Sequence, residues 1–174
     1  MAHRVSVLIP TYNCGRFLGE AIDSVLAQTF TDFEIIVVDD GSTDNTADVV
    51  ARYPAVKYVP IEHSGVSTAR NTAIAQATGE FVVFLDADDM WTPDKLEKQV
   101  AYLDEHADCM LVFTKAENFY QNEEKDRTER QQQRQEPYEI LMYHTRLPST
   151  EFTVFFIIAY PQLHDKSRVT FKIY

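Results

Sequence analysis

A chain of 174 residues, of which 45% are hydrophobic and 12% aromatic, is long enough to bury a core and is expected to form one compact domain. Its formal net charge of −11 argues against a broad nucleic-acid-binding surface, because binding to a phosphate backbone normally requires a basic face. We therefore expect no nucleic-acid partner, and any phosphate that the protein binds would need a locally placed cation.

The first two thirds of the chain alternate between strand-like and helix-like segments. Short apolar or β-branched runs predict strands, and apolar residues spaced three or four apart predict the helices between them. The predicted strands are Val5–Ile9, Phe33–Val38, Val56–Ile61, Phe81–Leu85 and Met110–Phe113, and the predicted helices cover residues 17–26, 47–53, 66–77 and 96–103. Successive β-α units imply an α/β fold with a mostly parallel sheet and helices on both faces.

Residues with capping preferences mark the ends of these helices. Gly79 is expected at the position after the last turn of the third helix, where glycine commonly adopts a left-handed conformation. Thr92 and Pro93 form a suitable N-cap and first-position pair for the fourth helix. Beyond the fifth strand the pattern weakens, and a short helix at Glu139–Tyr143 is the remaining helical prediction.

Polar segments follow four of the predicted strands. Sheets of this kind bind ligands at the carboxyl ends of their strands, so these segments are expected to form one site. They are Pro10–Asn13, Asp39–Ser42, Glu62–Gly65 and Asp86–Asp89. Two of the four carry adjacent carboxylates.

The last of these segments indicates a divalent cation. In an extended chain Asp86 and Asp88 can point the same way, while Ala87 turns aside. Carboxylates suit Mg²⁺ or Mn²⁺, which typically reach a protein through one or two acids and complete their shell with water and substrate phosphate. The alternative is that the acids only cap the loop and the next helix, which is the common case for a lone Asp-x-Asp pair.

Nothing in the sequence predicts secretion or a membrane span. Met1–Arg4 lead directly into an apolar strand, without a long hydrophobic region or a small-residue cleavage site. The longest apolar run, Phe152–Tyr160, is about half of the roughly 20 residues that span a bilayer. We therefore expect no transmembrane segment and a cytoplasmic location, either free or peripheral to the membrane.

Five motifs, in order along the chain, resemble the family 2 glycosyltransferases of GT-A fold. They are Pro10-Thr11-Tyr12-Asn13, Ser24-Val25-Leu26-Ala27-Gln28-Thr29, Val38-Asp39-Asp40-Gly41-Ser42-Thr43-Asp44, Ala69-Arg70-Asn71 and Leu85-Asp86-Ala87-Asp88-Asp89, and they cover about residues 3–113. The resemblance implies a GT-A, Rossmann-like sheet, a nucleotide-diphosphate-sugar donor such as a UDP-sugar, and Mn²⁺ or Mg²⁺. It also implies transfer with inversion at the sugar carbon, with a saccharide or a lipid-linked molecule as a candidate acceptor.

The resemblance assigns the nucleobase to the first and third motifs. Tyr12 offers an aromatic face on which a base can stack, and Thr11 offers a hydroxyl and backbone groups beside the base. Asp40 is expected to accept hydrogen bonds from the ring N–H groups of a uracil or thymine, whereas Asp39 is expected to form the turn. The structural alternatives are a loop tyrosine and a threonine that merely ends its strand.

The same resemblance assigns the diphosphate, the ribose and the metal. Arg70 is expected to reach the base or the diphosphate, Asp86 to contact the ribose, and Asp88 to ligate the metal that bridges the two phosphates. The alternative for Arg70 is a solvated helix side chain. Of the neighbours, Asp89 is expected to cap the next turn and Trp91 to pack.

His63 lies in the polar segment after the third strand and could line the same cleft, although a histidine in a loop is more often without a special function.

No general base is identified in the sequence, so the catalytic residues are unknown. An inverting transfer needs a base to take the proton from the acceptor hydroxyl, and the family usually supplies an Asp in a later segment, often in a Glu-Asp pair. The adjacent acids Glu123-Glu124 lie in a highly polar run that is typical of a loop or a solvated helix. Glu151 and Asp165 are further candidates.

The chain therefore divides into three predicted parts. Residues 1–115 form a nucleotide-sugar-binding core, residues 116–137 a polar loop or exposed helix, and residues 138–174 a divergent or truncated acceptor-side segment. The leading hypothesis is a metal-dependent glycosyltransferase, and the main alternative is a donor-binding module without acceptor chemistry. A phosphoacceptor signalling domain also places acids near strand ends, but it usually needs a single phosphorylatable Asp and a later Lys at a strand end.

Overall fold

The computed structural model describes residues 3–106, 109, 111–114, 140–142 and 156–159. Its elements are β1 Val5–Thr11, α1 Gly15–Leu26, β2 Phe33–Asp39, α2 Thr46–Val50, β3 Val56–Pro60, α3 Val66–Gln76, β4 Phe81–Phe84, α4 Lys95–Glu105, β5 Leu111–Thr114, β6 Ile140–Met142 and β7 Phe156–Ala159. The predicted polar part 116–137, with Glu123 and Glu124, lies outside the described residues, as do Glu151 and Asp165.

These strands form one sheet in the order β3-β2-β1-β4-β7-β5-β6. β1 pairs in parallel with β2 on one side and with β4 on the other, and β2 pairs in parallel with β3. β7 is antiparallel to both β4 and β5, so β5 runs parallel to β4 although the two do not touch. The predicted α/β fold with a mostly parallel sheet is confirmed.

Helices cover both faces of the sheet because successive side chains of each buried strand point to opposite sides. On β1, Val7 and Ile9 belong to the core that packs under α1, α2 and α4, whereas Leu8 belongs to the core under α3. All three side chains are fully buried. Burial of each such side chain contributes roughly 1.5–3 kcal/mol to folding, so the central strand anchors both layers.

The order of the strands reverses at β1. The first two crossovers, through α1 and α2, step from β1 to β2 and on to β3, whereas α3 carries the chain back to the other side of β1 and into β4. Right-handed crossovers in opposite directions place their helices on opposite faces, as observed here. The reversal opens a crevice at the carboxyl ends of β1 and β4, which is where sheets of this type bind ligands.

Gly79 does not cap α3 as predicted. The helix ends at Gln76, with Ala77 as its C-cap in an extended conformation. Gly79 instead lies against β1, where an added Cβ would meet the backbone nitrogen of Ser6 at 2.6 Å. The Gly79 N–H donates to Ser6 Oγ at 2.8 Å, so glycine is required here for close approach of two backbones.

The predicted N-cap and first position of the fourth helix, Thr92 and Pro93, are wrong: the helix begins two residues later, at Lys95, with Asp94 as its N-cap. Had Thr92 been the N-cap, its carbonyl would have accepted the first helical hydrogen bond from Leu96 N–H. That N–H donates instead to Gln28 Oε1 at 2.9 Å, and Gln28 Nε2 donates to the Thr92 carbonyl at 2.7 Å. Gln28, two residues after the end of α1, thus takes the place of the helical partner of Leu96 N–H, while the Thr92 carbonyl also accepts the N–H of Lys95 at 3.2 Å.

The short helix predicted at Glu139–Tyr143 is wrong, because Ile140–Met142 form β6. This strand pairs antiparallel with β5, with Thr114 opposite Ile140. A helix of this length is unstable by itself. Ladder hydrogen bonds to a neighbouring strand therefore outweigh a weak local preference for helix.

In the described part of the chain, none of the helices has the length and apolar character needed to cross a membrane.

The buried amine of Lys95 is expected to make stability depend on pH. The residue is 6% exposed, its Nζ donates to Gln99 Oε1 at 2.6 Å and lies 4.5 Å from the centre of the Trp91 ring. Burial lowers the pKa of Lys95 to about 7. Because an unfolded lysine titrates near pH 10, the unfolded state holds the proton more tightly, and this group makes stability rise with pH between these two values.

Replacing Lys95 by Met removes this contribution. We compare the free energy of unfolding of Lys95→Met with that of wild type at each pH. The value for the variant minus the value for wild type is expected to be highest near pH 7 and to fall towards pH 10, by up to about 1.4 kcal/mol per pH unit. Urea denaturation at pH 6, 7, 8, 9 and 10 measures this difference. Lys98→Met, which removes an exposed lysine from the same helix, serves as the control. A difference that does not change with pH would contradict the prediction.

Candidate functional site

The polar segments after the first four strands meet at one edge of the sheet. In the parallel register Thr11 lies opposite Asp39, and Asp39 lies opposite Pro60. β4 reaches the same edge, since the N–H of Leu85 donates to the carbonyl of Leu8 at 3.0 Å. The chain therefore leaves β1 to β4 side by side, as the sequence predicted.

Asp39 forms the turn after β2, as expected. Its Oδ1 accepts a hydrogen bond from Ser42 N–H at 2.9 Å, and its Oδ2 accepts one from the Tyr58 hydroxyl at 2.5 Å. Burial and the bond to this carboxylate raise the pKa of Tyr58. Gly41 follows with a φ of 77°, which favours glycine, and an added Cβ would lie 2.9 Å from the backbone nitrogen of His63.

The neighbouring Asp40 holds the loop that follows β3. It is 3% exposed, and its two carboxylate oxygens accept the N–H groups of Ser64 and Gly65 at 2.8 and 2.9 Å. His63 Nδ1 lies 2.8 Å from Asp40 Oδ2. These three donors occupy most of the about four acceptor positions of the carboxylate, whose side chain is only 4% exposed.

Tyr12 lies beside this loop and is exposed. Its ring stacks on the His63 ring with the centroids 4.3 Å apart and the planes inclined by 20°. Thr11, which precedes it, is 4% exposed, and its hydroxyl oxygen has no hydrogen-bond partner among the described residues. Thr11, Tyr12, Asp40 and His63 thus form one corner of the site, which we call the Tyr12 corner.

A second corner joins α3 to the end of β4. Arg70 forms an ion pair with Asp86, with Nη2 and Oδ1 3.0 Å apart, and its guanidinium lies 6.0 Å from the centre of the Phe84 ring. Both members of the pair are partly exposed. The structure therefore brings together two of the predicted site residues that are 16 positions apart in the chain.

The segment Asp86–Asp89, which we call the acidic turn, is not the extended chain that the sequence argument assumed. The Asp89 N–H donates to the Asp86 carbonyl at 3.1 Å, which closes a four-residue turn. Ala87 is buried and Asp88 is exposed in this turn. The strand ends at Phe84, so the alternation of side chains that would have aligned the two acids does not apply.

Asp89 is not the N-cap of α4, which is Asp94. Its carboxyl group is half-buried, and burial, followed by the charges of Asp88 and Asp86, raises its pKa to about 6. Burial and, after it, the negative charge of Asp88 also raise the pKa of the Cys14 thiol. The acidic turn therefore carries more negative charge than Arg70 compensates.

This excess of negative charge fits a hard divalent cation. Asp88 is exposed and free to act as a ligand, and Asp86 lies two residues away with one oxygen paired to Arg70. Among the described residues there is no group of three or more potential metal ligands. The donor set is thus suited to Mg²⁺ or Mn²⁺ held by one or two carboxylates, with water and substrate phosphate as further ligands.

The sequence analysis missed a set of side chains that position the chain after the acidic turn. Gln28, 5% exposed, bridges the Thr92 carbonyl and the Leu96 N–H. Ser24 Oγ accepts the N–H of Trp91 at 3.2 Å, and Trp91 is buried in the core, as expected. These contacts explain the second motif: the end of α1 holds the segment between the acidic turn and α4.

A signal for Gln28 was present in the sequence. Position 28 continues the buried series of Leu18, Ala21 or Ile22, and Val25, so its side chain must face the core. A glutamine in such a position needs hydrogen-bond partners for both amide atoms, which predicts contacts with backbone groups.

The region that builds this site is similar to known proteins. The family described as Glycosyl transferase family 2 matches residues 6–165. This match extends well beyond Phe113, the end of the region over which the motifs indicated a resemblance. An uncharacterised glycosyltransferase of Nostoc sp. is 48% identical over 102 residues, which are 56% of this chain and 32% of that protein.

Two solved structures share the fold. TarS of Staphylococcus aureus, named a poly(ribitol-phosphate) β-N-acetylglucosaminyltransferase, was solved as residues 1–349 in complex with UDP-GlcNAc. It is 39% identical, with a TM-score of 0.58, and the match covers 60% of this chain and 32% of that chain. The mannosyltransferase PcManGT of Pyrobaculum calidifontis, in complex with GDP-Man and Mn²⁺, is 36% identical with a TM-score of 0.59, covering 64% of this chain and 35% of that chain.

These likenesses confirm the predicted GT-A fold. The matches span about a third of the Nostoc protein and of each of the two crystallised chains, and 22% of the whole TarS protein.

Replacing Gln28 by Leu is expected to destabilise the protein. The substitution keeps the volume but leaves the buried Leu96 N–H without a partner and removes one of the two hydrogen bonds to the Thr92 carbonyl, which costs about 1–3 kcal/mol. Urea denaturation measures the free energy of unfolding. Gln76→Leu, at the end of α3, is the control and should change it by less than about 0.5 kcal/mol. Similar values for the two variants would show that Gln28 does not hold this segment.

Proposed function

Because the chain belongs to glycosyl transferase family 2, we propose that it binds a nucleotide-diphosphate-sugar donor and forms part of an enzyme that transfers the sugar to an acceptor hydroxyl. The observation that carries the proposal is the meeting of the Tyr12 corner and the Arg70–Asp86 pair at one edge of the sheet. The solved relatives, with UDP-GlcNAc or with GDP-Man and Mn²⁺ bound, support a donor of this class.

We assign the nucleobase to the Tyr12 corner. The exposed Tyr12 ring offers a stacking surface, and base stacking on an aromatic side chain contributes about 1–3 kcal/mol. The buried Thr11 hydroxyl gains a partner if a polar atom of the base approaches it. The Asp40 carboxylate, held in place by two backbone N–H groups, is suited to accept the ring N–H of a uracil.

The second corner is suited to the ribose and the diphosphate. Arg70 keeps several N–H donors available while one nitrogen is bonded to Asp86, because a guanidinium has five donors. Asp86 is partly exposed and retains acceptor positions for ribose hydroxyls. The ion pair orients both side chains before a ligand arrives, which reduces the entropy lost on binding.

The acidic turn is the proposed metal site, with Asp88 as the ligand. A bound Mn²⁺ or Mg²⁺ would act as a Lewis acid and contribute several kcal/mol by neutralising charge on the departing nucleoside diphosphate. The Gln28 contacts fix the chain on the far side of this turn and therefore limit its movement. A rigid turn keeps the Asp88 carboxylate near the diphosphate.

The family resemblance supports transfer with inversion, which would require a general base; that base is unassigned. We propose that residues 1–115 bind the donor and that residues 138–174 contribute to the acceptor side. Residues 116–137 would connect these two parts. Support comes from the sheet, in which β7 lies beside β4 and the ends of β5, β6 and β7 at Thr114, Ile140 and Phe156 lie at the edge that carries the donor site. A saccharide or a lipid-linked molecule remains the candidate acceptor.

The second candidate function is a donor-binding module without acceptor chemistry. It is favoured by the acids of the described site, which are all assigned donor or metal roles in this proposal. Binding and turnover experiments separate the two candidates.

Donor binding should raise the thermal stability of the protein. We expect one of UDP, GDP and ADP, at about 100 times its dissociation constant and with Mn²⁺, to raise the Tm by about 5–10 °C, because a ligand that binds only the folded state stabilises it. Asp88→Ala should lose the part of this shift that depends on Mn²⁺. Asp48→Ala, which removes an exposed acid from α2, should keep it. Equal shifts in wild type and Asp88→Ala would contradict the metal assignment.

Turnover distinguishes an enzyme from a binding module. With Mn²⁺ and a panel of sugar nucleotides, acceptor saccharides and lipid-linked saccharides, an active chain releases nucleoside diphosphate, and Asp88→Ala lowers kcat by about 100-fold or more. Coupled detection of the released diphosphate gives the rate. Nucleotide binding without turnover under all of these conditions would instead support the donor-binding module.

A further inference from the structure

We propose that His63 occupies the nucleobase position before the donor binds, so that the donor displaces the imidazole from Tyr12 and Asp40. His63 is then an internal competitor that sets the affinity for the base. The inference rests on the proposed function, because it takes Tyr12 and Asp40 as the residues that receive the base.

The position of the imidazole carries this inference. Its ring stacks on Tyr12 at 4.3 Å, and its Nδ1 lies 2.8 Å from Asp40 Oδ2. An imidazole presents an aromatic face and a ring N–H, and a uracil presents the same two groups to the same two partners. His63 therefore satisfies both recognition elements of the corner with one side chain.

The side chain can leave without disturbing the loop. Asp40 holds the loop through the backbone N–H groups of Ser64 and Gly65, and these two bonds do not involve the imidazole. The His63 side chain is 58% exposed, so rotation about its side-chain bonds moves it into solvent. The backbone of the corner thus stays in place when the base replaces the ring.

This competition has a specific signature. A ligand that contains the base must displace His63. A ligand with only the diphosphate binds at the Arg70–Asp86 pair and leaves His63 where it is. Removing the imidazole should therefore strengthen binding of UDP and leave binding of pyrophosphate unchanged. In turnover, the change should appear as a lower KM for the donor with an unchanged kcat, because stacking affects ground state and transition state alike.

Isothermal titration calorimetry with Mn²⁺ tests the proposal on four forms of the whole chain. We expect His63→Ala to bind UDP about 5- to 30-fold more tightly than wild type, since it loses both the stack and the pair with Asp40. His63→Phe keeps an aromatic ring but not the N–H, and should fall between the two. All forms should bind pyrophosphate with the same affinity.

The chain offers a matched control in His106, which stacks on Tyr102 with centroids 4.0 Å apart at the end of α4. His106→Ala removes a similar stacking contact outside the site, and this variant should bind UDP as wild type does. In protein with ¹³C-labelled histidine, UDP but not pyrophosphate should remove the ring-current shift that Tyr12 imposes on His63.

The outcomes separate the two proposals. If wild type binds UDP and His63→Ala binds it equally well or more weakly, the competitor role is wrong and the donor site stands. An unchanged His63 signal on addition of UDP leads to the same conclusion. If neither wild type nor any variant binds a nucleotide, the proposed function fails and the role of His63 fails with it.

Discussion

The parallel pairing of β1 with β2 on one side and with β4 on the other positions the whole site. The ladder continues beyond the strands, because the N–H of Asp40 donates to the carbonyl of Thr11 at 2.9 Å. Tyr12 and Asp40 therefore leave the sheet as neighbours, and the acidic turn leaves it on the other side of β1. A shift of β1 by one residue would send its buried side chains to the opposite faces, so the two cores of the sheet fix this register.

Buried polar side chains, rather than apolar contacts, hold the loops at this edge. Asp40 fixes the loop after β3, and Gln28 fixes the segment after the acidic turn, in each case by bonding to backbone N–H groups. Such groups must be paired when they are buried, so each side chain specifies one loop conformation. Tyr12 and Asp88 are thus exposed on segments whose neighbours are held by the core.

The charges of the site suit the proposed ligand, which carries both a base and phosphates. Arg70 supplies positive charge at one corner and is oriented by Asp86, while Asp88 and Asp89 leave negative charge at the acidic turn. A diphosphate alone would be repelled by this turn, but a diphosphate that shares a divalent cation with Asp88 would not. The same acids are thus compatible with a polyanionic donor only through a metal.

Periodicity and motif order determined the α/β fold, the first five strands and which segments reach the site, because these features depend on local alternation of side chains and on the rule that parallel strands end at one edge. Three features depended on partners distant in sequence: Gly79 against Ser6, Gln28 as the partner of Leu96 N–H, and β7 between β4 and β5. The stacking of His63 on Tyr12 is of the same kind. Local sequence specifies which backbone conformations are favourable, but only the packed fold decides which buried N–H groups, carbonyls and rings must satisfy one another.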